Sequence, residues 1–290
     1  MAFEWTRTDV TFGEGFLRIA REQVSRAVAA ALDEATIPAQ RIHESRRRCK
    51  KLRALFRLVQ PDFRRYRDEN TNVRDAARHL SEARDANVVQ QTLFDLMQAA
   101  GRPMPAIETE PANEAKEHAA LVRFAAEMED MLSRSQDWNI AKIDQHTIED
   151  GLERTYRAAR DAGKATLADP SDTGFHEWRK LAKYHWHHLN LLEQCAEAML
   201  GSEASASGDL AELLGAHHDL AVLAEILASD PDRLGTNLDI AFIQDAIKQR
   251  QTLLEAEITP LGAQVFAETP KALRKRFAAY LTAWRAYEAA

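Results

Sequence analysis

The sequence predicts an all-α protein, and three observations carry that prediction. Glycine and proline are sparse, 11 and 9 in 290 residues, while the strong helix formers Ala, Leu, Glu and Arg abound. Apolar residues recur at three- and four-residue intervals, the period of a helix that buries one face. The second half of the chain also repeats the motif order of the first, as a duplicated helical unit does.

Residues 13–35 read as the first helix, with Phe16, Ile19, Ala20, Val24, Ala27, Val28 and Leu32 as its apolar stripe and Ile37-Pro38 as its end. A basic helix follows and stops at Gln60-Pro61-Asp62. The helical pattern resumes near Val73 and runs, with room for a break, to Ala100. Three prolines mark 101–113 as a loop, and 114–133 is helical again. The boundary between the halves falls around Arg134–Asp144. A helix over 145–168 then ends at Asp169-Pro170. The next runs from about Phe175 to Leu200, with Asp172 or Thr173 as its cap. Its Gly and Ser residues make 201–209 a flexible loop. Helices at about 209–228, 238–258 and 270–288 complete the chain, punctuated by Pro260 and Pro270.

The basic helix stands out electrostatically. Arg41 to Arg57 holds eight Lys or Arg against one acid, Glu44, in a chain whose formal net charge is −7. On a helical wheel His43, Arg46, Arg47, Lys50, Arg53 and Arg57 share a stripe about 120° wide. Ile42, Cys49, Leu52, Leu55, Phe56 and Val59 share the adjacent face. One side therefore buries while the other presents a ladder of cations. Like charges at this spacing repel, a cost that an anion opposite the stripe would relieve.

The duplication is detailed. EGFLRIAR (14–21) matches DGLERTYR (150–157), which sets Arg18 over Arg154 and Arg21 over Arg157. IHESRRRCKKL (42–52) matches FHEWRKLAKYH (175–185), which sets His43 over His176, Arg46 over Arg179, Arg47 over Lys180 and Lys50 over Lys183. EARDANVV (82–89) matches AHHDLAVL (216–223), with Asp85 over Asp219; the interval from His to Asp is 42 residues in one half and 43 in the other. The second polar stripe is thus His176, Arg179, Lys180, Lys183, His187 and Asn190, beside a buried side of Phe175, Trp178, Ala182, Leu189 and Leu192.

A helix opening with His, Arg three residues on and further cations beyond, present twice and each time followed by an Asp element, resembles the conserved histidine α-helical domain, or CHAD, family. The resemblance spans essentially the whole chain. It implies one domain over 1–290, built of helical-bundle repeats over 1–138 and 139–290 related by a pseudo-twofold axis, with a central basic channel or groove. It further implies non-catalytic binding of inorganic polyphosphate and association with polyphosphate granules. Arg18, Arg21, Arg154 and Arg157 would extend the binding surface made by the two stripes. The second copy departs from the family pattern, with Tyr184 and Trp186 where cations are favoured. His176 and His187 there lead one to expect tighter binding as pH falls from about 8 to 6.

Other classes are less well supported. No apolar run is long enough to span a membrane, and the N-terminus lacks the apolar core of a secretory signal. Cys49 and Cys195 sit on apolar positions and read as free thiols of a reducing cytoplasm. Adjacent histidines such as His217-His218 diverge by about 100° on a helix, and no HExxH or Cys/His spacing occurs, so neither a metal nor another cofactor is expected. A metal-dependent phosphate-handling hydrolase would need a phosphate loop or a carboxylate cluster, and neither is visible. An RNA- or DNA-binding helical protein would need stacking platforms, for which only Tyr184 and Trp186 qualify.

Overall fold

The computed structural model describes residues 3–80, 85–103, 114–235 and 238–286. Ten α-helices and no strand occur among the described residues: α1 (Phe12–Leu32), α2 (Pro38–Leu58), α3 (Tyr66–His79), α4 (Asp85–Ala99), α5 (Glu114–Arg134), α6 (Gln145–Ala168), α7 (Asp172–Leu192), α8 (Glu197–Ser229), α9 (Ile240–Val265) and α10 (Pro270–Ala286). None of these helices is long and apolar enough to cross a membrane.

Local chemistry sets several of the ends. The Thr11 hydroxyl accepts from the Glu14 N–H at the start of α1. Asp144 and Thr147 form a reciprocal capping box at α6. Pro38 occupies the first turn of α2, where no backbone donor is needed. Ser171, rather than Asp172 or Thr173, caps α7 by accepting from the Gly174 N–H.

α1 packs on α2 and α5, α6 packs on α7 and α10, and α2 lies against both α6 and α7. The α2–α6 crossing requires Gly151, because a Cβ there would sit 1.7 Å from the Leu58 carbonyl oxygen. α4 makes its principal contacts with α8 and α9, helices of the second half. Phe16, Phe56, Phe63 and Trp138 form an aromatic cluster with ring centroids 5.0–6.1 Å apart. Beside it Glu69, 1% exposed, receives two hydrogen bonds from Arg134, at 3.1 and 2.9 Å, and one from the Trp138 indole. Every residue assigned from sequence to the buried sides of α2 and α7 is buried. Both cysteines are buried free thiols, and burial pushes each up to about 12.

Several expected boundaries move. The segment 201–209 is part of α8, not a loop. Its small residues permit close packing: a Cβ on Gly208 would lie 3.0 Å from the Trp186 indole nitrogen, and Ala204 and Ser207 are buried. The helix expected to reach Leu200 ends at Leu192, where a short 3-10 turn intervenes before α8. Pro260 lies inside α9, which continues to Val265 and buries Gly262 beyond the proline. The first half's third helical stretch begins at Tyr66, earlier than Val73. Leu32, placed on the apolar stripe, is 45% exposed at the last residue of α1, while Ala31 is buried. The proline-rich loop at 101–113 and the side chain of Asp85 lie largely outside the described residues.

Candidate functional site

α2 and α7 run in opposite directions along a cleft. Its larger part, about 460 Å³, is lined by His43, Arg47, Lys50 and Lys51 of α2 and by Lys183, Trp186, His187 and Asn190 of α7, with Phe3, Glu4 and Glu193 closing one side. A smaller cavity of about 140 Å³ is lined by Lys50 and Arg53 of α2 and by Arg179, Lys180, Lys183, Tyr184 and His187 of α7. Lys50, Lys183 and His187 line both, so the two spaces meet at these residues.

Eight of the residues selected from sequence therefore face one another here: His43, Arg47, Lys50 and Arg53 from one half, and Arg179, Lys180, Lys183 and His187 from the other. Two of the cations carry matched local acids. Arg47 pairs with Glu44 at 2.7 Å, and Lys180 pairs with Glu177 at 2.7 Å, each three residues back on its helix. These exposed pairs are weak and screened by salt, so an incoming anion can displace them.

His187 is the centre of the arrangement. It is 4% exposed, and neither ring nitrogen has a hydrogen-bond partner. The Trp186 ring lies 4.7 Å from it and Phe3 meets it edge-on at 6.1 Å. Burial, reinforced by Lys51, Lys183 and Lys50, pushes its imidazole down to about 3. It is neutral at physiological pH and keeps one N–H to donate. Lys51 was absent from the stripe read on the helical wheel because it falls between the polar and apolar faces. Its ammonium sits 4.9 Å over the Phe3 ring, and burial followed by Arg48 and Arg47 pushes it down to about 8. No sequence signal places Phe3 at the site, because the fold of the N-terminal segment brings it there.

The other selected residues are held elsewhere. Arg18 is bound by Asp9, at 2.6 and 2.8 Å, and by Glu22. Arg21 donates to the Ser135 hydroxyl and carbonyl. Arg154 donates to the Arg57 carbonyl, and Arg157 pairs with Glu153. None of these four lines either cavity. The Arg46 guanidinium donates to the Ala77 carbonyl at 3.4 Å, and Arg57 stacks on the Tyr184 ring at 5.0 Å. His176 faces His218 with Nδ1 atoms 3.2 Å apart, one imidazole donating to the other. Burial, then Lys180 and Arg179, hold His176 below its ordinary range, and burial with Arg179 pushes His218 down to about 4. Buried His188 spans the α2–α7 contact, its Nε2 donating to the Ala54 carbonyl at 2.9 Å. Asp219 lies away from the cleft, in a cavity between α4, α8 and α9. Among the described residues no three His, Cys, Asp or Glu side chains are grouped so as to hold a metal ion.

The sequence profile of the CHAD domain matches residues 17–228, which include all of α2 and α7. The chain belongs to the CHAD family. Among solved structures it is similar to the crystal structure of the CHAD domain from the plant Ricinus communis, with a TM-score of 0.62 and 18% identity over 92% of this chain and 95% of that one. That likeness is one of fold. No curated protein sequence matches this CHAD chain.

Proposed function

We propose that this CHAD domain binds inorganic polyphosphate in the α2–α7 cleft, without catalysis. The supporting observation is the convergence of cations from both duplicated helices on one space, around a buried neutral histidine with an N–H to give. Polyphosphate is a linear polyanion of about one charge per phosphate. Arg offers it forked hydrogen bonds and Lys a mobile point charge. Cations on successive helical turns recur every 5–6 Å, which suits an extended ligand.

The duplication enters this reading directly. With His43 set over His176, the buried residues Ile42, Ser45, Cys49, Leu52 and Leu55 fall on the buried residues Phe175, Trp178, Ala182, His185 and His188. This register supports two repeats, 1–138 and 139–290, related by a pseudo-twofold axis that passes near Lys50 and Lys183. The basic groove would then be the seam between the repeats, and granule association in the cytoplasm would follow from what it binds.

Calorimetric titration with long-chain polyphosphate tests the reading. Binding should be measurably weakened in Lys50→Ala/Lys183→Ala, with helix content unchanged. Release of phosphate from the chain in the presence of Mg²⁺ would favour the hydrolase reading, and displacement by equimolar single-stranded RNA would favour a nucleic-acid reading.

A further inference from the structure

The two halves do not line the cleft symmetrically. In the register that sets His43 over His176, Arg53, Arg57 and Gln60 of the first copy fall on Trp186, Asn190 and Glu193 of the second. The helices run in opposite directions, so these positions mark opposite ends of the cleft. One end has cations on both walls, Arg53 facing Arg179 and Lys180. At the other end, beyond the shared Lys183, the cations are on α2, while α7 contributes Trp186 and Asn190 and the turn after it contributes Glu193.

A second carboxylate joins Glu193 there. The N-terminal segment is laid along α7 by a hydrogen bond from the Trp5 N–H to the Leu191 carbonyl, 3.1 Å, and by Arg18 donating to the Glu4 carbonyl, 2.9 Å. This brings the Glu4 side chain into the cleft lining. Burial and the charge of Glu193 both raise the Glu4 carboxyl above its ordinary range, consistent with two acids sharing one wall. The C-terminal carbonyls of α7 add negative potential at the same end. Between the two ends His187, 4% exposed, has no hydrogen-bond partner for either ring nitrogen, and both cavities open onto it.

We propose that the cleft takes polyphosphate by its end: the chain enters over Arg53, Arg179 and Lys180, and its terminal phosphate stops beside Asn190, short of Glu193 and Glu4. This rests on the polyphosphate reading of the site. An internal segment running through would carry phosphates past two carboxylates that lie beyond Lys183, the last lining cation of α7. A terminal phosphate avoids that repulsion. Its additional oxygen can accept from the Asn190 amide, while Lys183 and the His187 N–H serve the penultimate phosphates.

The test uses the whole protein and long linear polyphosphate, either free-ended or capped at both termini as phosphoramidates. Two carboxylates facing an internal segment should weaken the capped chain about tenfold relative to the free-ended one. Stoichiometry at saturation, by analytical ultracentrifugation, should be two proteins per free-ended chain whatever its length. Glu4→Gln/Glu193→Gln should tighten capped chains more than free-ended ones and so narrow the gap between them. Equal affinity for capped and free chains, or protein bound in proportion to chain length, would overturn end recognition while leaving polyphosphate binding standing. Failure of both chains to bind would overturn the underlying reading as well. The capping and stoichiometry measurements need no variant, so a folding defect in the double substitution leaves the proposal exposed to refutation.

Discussion

Removing the two lysines at the junction of the cavities should flatten the salt dependence of polyphosphate binding by a calculable amount. Seven Lys and Arg side chains line the cleft: Arg47, Lys50, Lys51, Arg53, Arg179, Lys180 and Lys183. A ligand that engages about five of these, Lys50 and Lys183 among them, displaces counterions at each contact. At about 0.7 per contact on a single-stranded polyanion, the log–log slope of affinity against salt should be about −3.5, so doubling the salt weakens binding about tenfold. Lys50→Ala/Lys183→Ala removes two contacts, and the slope should fall to about −2, with about fourfold loss on doubling the salt. Neither lysine belongs to the buried core, so the fold should survive. Fluorescence anisotropy of labelled long-chain polyphosphate across a KCl series reads both slopes, with circular dichroism as the folding control. An unchanged slope in the folded variant would mean the ligand does not lie across this junction.

Further outcomes follow from the same geometry. Affinity should be full below pH 8 and decline as pH rises above it. Lys51 has been pushed down to about 8 in the empty protein, and a bound phosphate raises it toward the ordinary lysine range of about 10.4. Lys51→Met should abolish that step in a titration series. His187→Gln should leave the profile between pH 6 and 8 unaltered, because burial keeps this imidazole neutral there. The pH response expected from His176 and His187 is thus assigned to Lys51. Acid should unfold the protein early. His185 and His187 fold as neutral groups pushed down to about 3, so their contribution is full above the ordinary histidine value and is lost as pH falls from there toward 3. Each can remove up to about 1.4 kcal/mol per pH unit in that window, visible as a falling Tm. Leu52→Ala, at a fully buried position, should cost about 2–5 kcal/mol in urea unfolding. Glu69→Gln, which leaves Arg134 without its carboxylate, should cost about 1–3 kcal/mol and leave polyphosphate affinity unchanged.

Much of this was legible in the residues because helical periodicity and charge patterning are local. The buried faces of α2 and α7 follow from spacing alone, and so does the position of Lys50 and Lys183 on polar stripes. The misread segments failed for physical reasons that spacing does not express. GSEASASGD has loop composition, yet its small side chains let α8 approach Trp186, and packing outweighed propensity. Pro260 forfeits a backbone hydrogen bond, yet α9 continues past it, and Gly262 in the next turn packs against the Trp178 ring. Arg18, Arg21, Arg154 and Arg157 occupy matched positions, yet each has a partner within the fold that no local pattern reveals.

The sequence by itself determined that the chain is helical and that one face of each basic helix is cationic. Each of these depends on residues within a few turns of one another. Only the tertiary structure decided that the two stripes face each other across a common cleft, since this depends on the antiparallel docking of α2 on α7. That docking also encloses His187, which by pattern belonged to the polar stripe, and so turns a titratable surface residue into a neutral donor. It brings Glu4 and Phe3, more than 180 residues from Glu193 and His187 in the chain, to the same wall. Burial and long-range charge are properties of the assembled helices, and no helical wheel contains them.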